Sequence, residues 1–160
     1  MKYFEDIAVG ERFAIGRHTF KADEIKAFAS RFDPQPFHTD DKAAEGSHFG
    51  ALVASGWHTV MVWMRLMAEH RRASADAMRS RGEPVAGAGP GLGFRELKWL
   101  KPVYAGDTID YASEVIETRV SRRRPRHGLL TLRSTGVNQN GDVIMSFVST
   151  SFIERRSEET

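Results

Sequence analysis

Cysteine is missing from this chain of 160 residues. Its absence excludes disulfides, a thiolate nucleophile and zinc centres built on Cys, and it fits a reducing compartment. No long uncharged apolar run occurs, so no membrane-spanning helix is expected. The opening residues, Met1 to Asp6, lack an apolar segment behind a basic start. No signal peptide is expected, and the chain is assigned to the cytoplasm. Charge of one sign is not in surplus either: 23 Lys and Arg against 21 Asp and Glu leave a formal net charge of +2. That balance permits an acidic small molecule and gives little support to nucleic acid as a partner. The histidines include no pair at a ligand spacing such as i, i+4, so no metal site is expected.

What remains is ordinary globular material, 41% hydrophobic and 28% charged, long enough for a sizeable core in one domain over residues 1–160, its folded part about 4–153. Phe13, Ile15, His18 and Phe20 alternate roughly and predict a short strand. Ile25, Phe28, Ala29 and Phe32 follow at i, i+3, i+4, i+7, an amphipathic helix with acids in its first turn. The helix stops at Asp33-Pro34-Gln35-Pro36-Phe37-His38. Two prolines break helical geometry. Asp33 and His38 are therefore expected on a stiff, non-helical elbow, free to face a substrate. Thr39 or Asp40 can cap a short helix that Gly46 ends.

The longest apolar stretch runs from Ala51 to Ala68, with large side chains on almost every face. Such a helix is expected to be buried all round. It is expected to begin at Ser55-Gly56, where Ser caps and free N–H groups can meet an oxyanion. Glu69 to Gly82 reads as a frayed helix end, and Glu83 to Gly93 as a mobile Gly- and Pro-rich loop. Strands are expected over 94–100, 108–120, 129–137 and 143–153, with an Asn-Gly hairpin at Asn140-Gly141 and a charged tail from Arg155 to Thr160. Arg122, Arg123, Arg124 and Arg126 make the densest basic run, on a loop outside the candidate site. The order predicts an α+β fold, an antiparallel sheet wrapped around a long buried central helix.

Three stretches in order resemble the MaoC-like dehydratase family, which includes the R-specific enoyl-CoA hydratases. They are Phe28-Ala29 with Asp33 to Asp40, Leu52 to Thr59, and Trp99 to Asp107 with its W-x-x-P-V-x-x-G-D pattern. The resemblance implies a single hotdog domain, homodimers or larger homo-oligomers joined sheet edge to sheet edge, and an acyl-CoA substrate. It implies addition of water to a 2-enoyl thioester, or the reverse. On matching positions, Asp33 and His38 fall on the catalytic pair and the Gly56 amide on the oxyanion donor. Gln35, Ser55 and Trp57 are assigned to the substrate-binding set. Gln35 departs from the family's usual Asn and bears on which substrate fits.

The chemistry asks for the same set. Hydration needs a base for water, an acid for the α-carbon and a donor for the enolate oxygen. An imidazole, a carboxylate and a helix-start amide supply these without a metal or redox cofactor. The competing readings are an acyl-CoA thioesterase, which the same fold can host, and a non-catalytic acyl-CoA-binding subunit.

Overall fold

The computed structural model describes residues 1–156. Of the expected charged tail, 157–160 lie outside the described residues, while Arg155 and Arg156 pair with Glu5 and Asp6. The elements run β1 (Arg12–Thr19), α1 (Ala22–Phe32), α2 (Pro36–Thr39), α3 (Asp41–Glu45), α4 (Gly56–Ser80), β2 (Ala88–Trp99), β3 (Thr108–Val120), β4 (His127–Asn138) and β5 (Val143–Glu154). The strands form one antiparallel sheet in the order β1-β3-β4-β5-β2. β1 and β2 are thus its two edges, and the helices lie between them in sequence.

α4 packs its buried face, Thr59, Val62, Trp63, Leu66 and Met67, on the sheet. Opposite it sit Ile15, Tyr111, Ile144, Met145 and Phe147. Each large apolar side chain buried there contributes roughly 1.5–3 kcal/mol. Tyr111 donates its hydroxyl to Thr59 O at 3.1 Å, which satisfies the one polar atom it brings inside. This is the predicted sheet around a central helix.

Four local expectations are corrected. The Asp33–His38 stretch is not wholly non-helical: Pro36 opens the one-turn helix α2, which carries His38. Pro suits a first helical position because that N–H needs no partner. α4 is not buried all round: Trp57, Met61 and Met64 are about half exposed on one stripe. Residues 69–80 continue α4 without a break. The Gly-rich loop ends early, because β2 already begins at Ala88. β2 holds its glycines by shifting register against β5 three times, between Ala88 and Gly91, Gly91 and Gly93, and Arg95 and Lys98.

Candidate active site

Asp33 is the residue that ends α1. Its N–H still donates to Ala29 O at 2.9 Å, but Pro34 cannot extend the helix, and its φ of −154° turns the chain out. α2 then returns His38 into the protein, where it is buried. Val53, in the extended segment before α4, bridges Tyr104 and is held by Phe37 O, 3.3 Å from its N–H. Its carbonyl lies 2.7 Å from His38 Nδ1. A carbonyl can only accept, so Nδ1 carries the proton and Nε2 of the neutral ring is the free acceptor. Nε2 faces Asp33 Oδ2 at 3.5 Å.

Asp33 is anchored by two donors. Ser55 Oγ donates to Oδ2 at 2.7 Å and Gln35 Nε2 donates to Oδ1 at 2.9 Å. Burial pushes the Asp33 carboxyl up, but the Ser55 hydroxyl, the Gln35 amide and, when its ring is protonated, the neighbouring His38 outweigh it and hold the group below the usual carboxylate range. Ser55 is the N-cap of α4, and its Oγ also accepts from Trp57 N–H at 3.2 Å. One hydroxyl therefore ties the end of α1 to the start of α4. The Gly56 N–H, first in α4, has no acceptor among the described residues. A Cβ on Gly56 would overlap the Trp99 indole, so only glycine fits beneath that ring.

Asp33, Gln35, His38, Gly56 and Trp57 all line one cavity of about 470 Å³. Ser55 does not reach its wall; it is buried and acts through Asp33. Gln35 is at the wall, yet its amide is already engaged by Asp33. Sequence reasoning left out the aromatic walls. Phe37, Phe49 and Trp99 enclose the cavity, and Trp99 meets Trp57 edge-on at 5.2 Å. Trp99 was visible only as part of a turn motif, because nothing in its own strand points to α4.

A second polar cluster stands behind the site. Arg65 Nη2 donates to His18 Nδ1 at 3.2 Å, so His18 Nε2–H donates to Glu24, 2.9 Å away. The same carboxylate faces His58 Nε2 at 3.5 Å. His58 is stacked on Phe28 at 4.4 Å, and its Nδ1 is buried without a partner. Burial pushes His58 down, against the opposing pull of Glu24. The cluster joins β1, α1 and α4. Among the described residues no group of three or more His, Cys, Asp or Glu is arranged to hold a metal ion, and no helix is long and apolar enough to cross a membrane.

An antiparallel sheet folded about one long helix, with an acid and an imidazole where the helix begins, defines a hotdog-fold domain. The MaoC like domain family matches residues 8–138, and the chain belongs to that family. The crystal structure of a MaoC-like dehydratase from Rhodospirillum rubrum is 39% identical, covers 99% of this chain and 100% of that one, and superposes with a TM-score of 0.81. The mesaconyl-CoA hydratase of Cereibacter sphaeroides is 35% identical over 65 residues, 41% of this chain and 19% of that enzyme. The (R)-hydratase from A. caviae, involved in PHA biosynthesis, shares the fold at 20% identity and a TM-score of 0.65, covering 95% of this chain and 99% of that one.

Proposed function

We propose that the protein is a hydro-lyase that adds water across, or removes it from, the 2,3 double bond of an enoyl-CoA thioester. The observation that carries this reading is the facing pair of acceptors, His38 Nε2 and Asp33 Oδ2, 3.5 Å apart. With the ring neutral, both atoms are acceptors that need a donor. A water donating one O–H to each fits that need and turns its own lone pair toward the cavity.

In the proposed reaction that lone pair attacks the β-carbon of the enoyl group. The C–O bond forms as the double-bond electrons move onto the thioester oxygen. The Gly56 N–H, backed by the positive end of α4, donates to that oxygen. The Asp33/His38 pair takes one water proton and returns a proton to the α-carbon, which completes the hydroxyacyl thioester. Ser55 and Gln35 keep Asp33 ionised and aimed, so Asp33 can serve as the acceptor. Trp57, Trp99 and Phe49 enclose the acyl group and exclude bulk water. None of these steps calls on a metal or redox cofactor.

The named relatives support this reading: a mesaconyl-CoA hydratase by partial sequence likeness and an (R)-hydratase by fold. Assembly as a homodimer is part of this reading, supported by the half-exposed apolar stripe on α4 and the unpaired edge of β2 with Leu92 and Phe94 exposed. The cytoplasm, where acyl-CoA thioesters and free thiols coexist, suits a chain without cysteine.

The test is turnover of a panel of short, medium and branched enoyl-CoAs, followed by loss of enoyl absorbance and by thiol release. Hydration without thiol release is expected, and Asp33→Asn should lower kcat by about 10²–10⁴ while a cooperative thermal melt shows that the variant remains folded. Stoichiometric thiol release would establish a thioesterase instead. Full turnover by a folded Asp33→Asn protein would remove the pair from the chemistry.

A further inference from the structure

The active site uses none of the positive charge on the β3–β4 hairpin. From Thr118 to Gly141 the chain contains no Asp or Glu, yet it carries Arg119, Arg122, Arg123, Arg124, Arg126 and Arg133. In a protein of net charge +2 this is a strong local excess. Arg119 reaches Glu117 at 3.6 Å. Arg122, Arg123, Arg124 and Arg126 have no carboxylate partner among the described residues. Glu154, cross-strand from His127, instead accepts from Gly87 N–H at 2.6 Å.

These cations surround a built cavity. Arg119 pairs with Leu129 across β3–β4, and Leu129 pairs with Phe152 across β4–β5, so the three share one face of the sheet. Leu130 and Leu132 point into the core, so Leu129 points away from α4. It is nevertheless only 6% exposed. The resulting cavity of about 560 Å³ is walled by Arg119, Arg122, Arg123 and Arg124 and floored by Leu129 and Phe152. The Arg124 guanidinium lies 5.1 Å from the Phe152 ring centroid, and His127 meets the same ring edge-on at 5.8 Å. His127 Nδ1 is buried without a partner. The loop is held in shape: Ser121 N–H donates to His127 O at 3.0 Å, and Arg124 N–H to Ser121 Oγ at 3.2 Å.

Guanidinium groups brought together without acids repel, and an incoming anion relieves that repulsion. Their forked N–H groups match phosphate oxygens bidentately, and several forks around one cavity suit closely spaced phosphates. The aromatic and aliphatic floor adds a surface on which a planar ring can stack. We propose that this hairpin and Phe152 form a binding site for a ligand that combines closely spaced phosphates with a planar ring, the chemistry of a phosphorylated nucleoside. The site stands independently of the hydratase reading. Its ligand has two sources: a free nucleotide, or the nucleoside end of the CoA thioester. Leu92, beside this cavity, and Trp99, in the active-site wall, both lie on β2, seven residues or about 23 Å of strand apart.

Calorimetric titration of the intact protein with adenosine 3′,5′-bisphosphate, and separately with inorganic pyrophosphate, tests the proposal. Saturable binding that weakens steeply between 50 and 200 mM salt is expected. Arg122→Gln/Arg123→Gln should weaken both ligands at least tenfold. Phe152→Leu should weaken the bisphosphate by a similar factor and leave pyrophosphate nearly unchanged. Thermal melts check that both variants keep the fold. No saturable binding to the wild type, or wild-type binding by both variants, overturns the site. Once binding is lost in the arginine variant, its kinetics separate the sources. A raised KM for an enoyl-CoA at constant kcat assigns the ligand to the substrate, and an unchanged KM assigns a free nucleotide.

Discussion

At the scale of single residues, Ser55 serves two structures with one hydroxyl. It accepts from Trp57 N–H to cap α4 and donates to Asp33. Ser55→Ala therefore removes a cap worth about 1 kcal/mol and one of the two hydrogen bonds that keep Asp33 acidic. Because the folded carboxyl is held below its unfolded value, its stabilising effect is complete above the unfolded pKa and lost as pH falls through the folded one. In Ser55→Ala that loss begins at higher pH. The expected result is a lower thermal transition at pH 7 and an acid limb of the hydration profile displaced upward, read from melts and kcat against pH. Gly56 makes a second case. Gly56→Ala drives a methyl into the Trp99 indole, and kcat should fall by about 10²–10³ as the amide leaves its position. Adding Trp99→Gly should recover part of that loss, since it clears the overlap.

At the scale of elements, α1 and α4 meet twice: through Asp33 and Ser55 at the cavity, and through Glu24, Phe28 and His58 behind it. The second joint has its own pH signature. Burial pushes His58 below its ordinary value of about 6.5, against the pull of Glu24, so below that pH the unfolded chain takes a proton more readily than the folded one. Stability is expected to drop as pH falls from 6.5 toward 5, and His58→Phe, which preserves a ring against Phe28, should flatten that drop in denaturant midpoints. Sequence periodicity announced α1 and the cap of α4 correctly, because both depend on neighbours within one or two turns. It could not announce α2, where Pro34 stops one helix and Pro36 starts the next. It missed the first half of β2, whose glycines look like loop until β5 is there to pair with them. The site shows the same division. Asp33, His38 and Gly56 were readable because they lie close along the chain to helix ends. Trp99 over Gly56 and Phe152 beneath Arg124 were not, since each comes from a distant strand.

At the scale of the whole molecule, the apolar composition of α4 promised full burial, and the structure leaves Trp57, Met61 and Met64 half exposed. A sequence reports that a side chain is apolar but not which molecule covers it. In the proposed homodimer a second copy covers this stripe. Met61→Glu/Met64→Glu should shift the particle toward monomer mass in light scattering and leave the helical circular-dichroism signal intact, because neither residue faces the core. An unchanged mass would remove this face from the assembly. β2 adds a constraint on such self-association. Its three register shifts and the positive φ of Glu96, 57°, interrupt the regular spacing of N–H and C=O groups along that edge. A generic extended peptide, with evenly spaced groups, meets mismatches on such an edge. The glycines that disguised β2 as a loop thus work against indiscriminate cross-β growth along that edge.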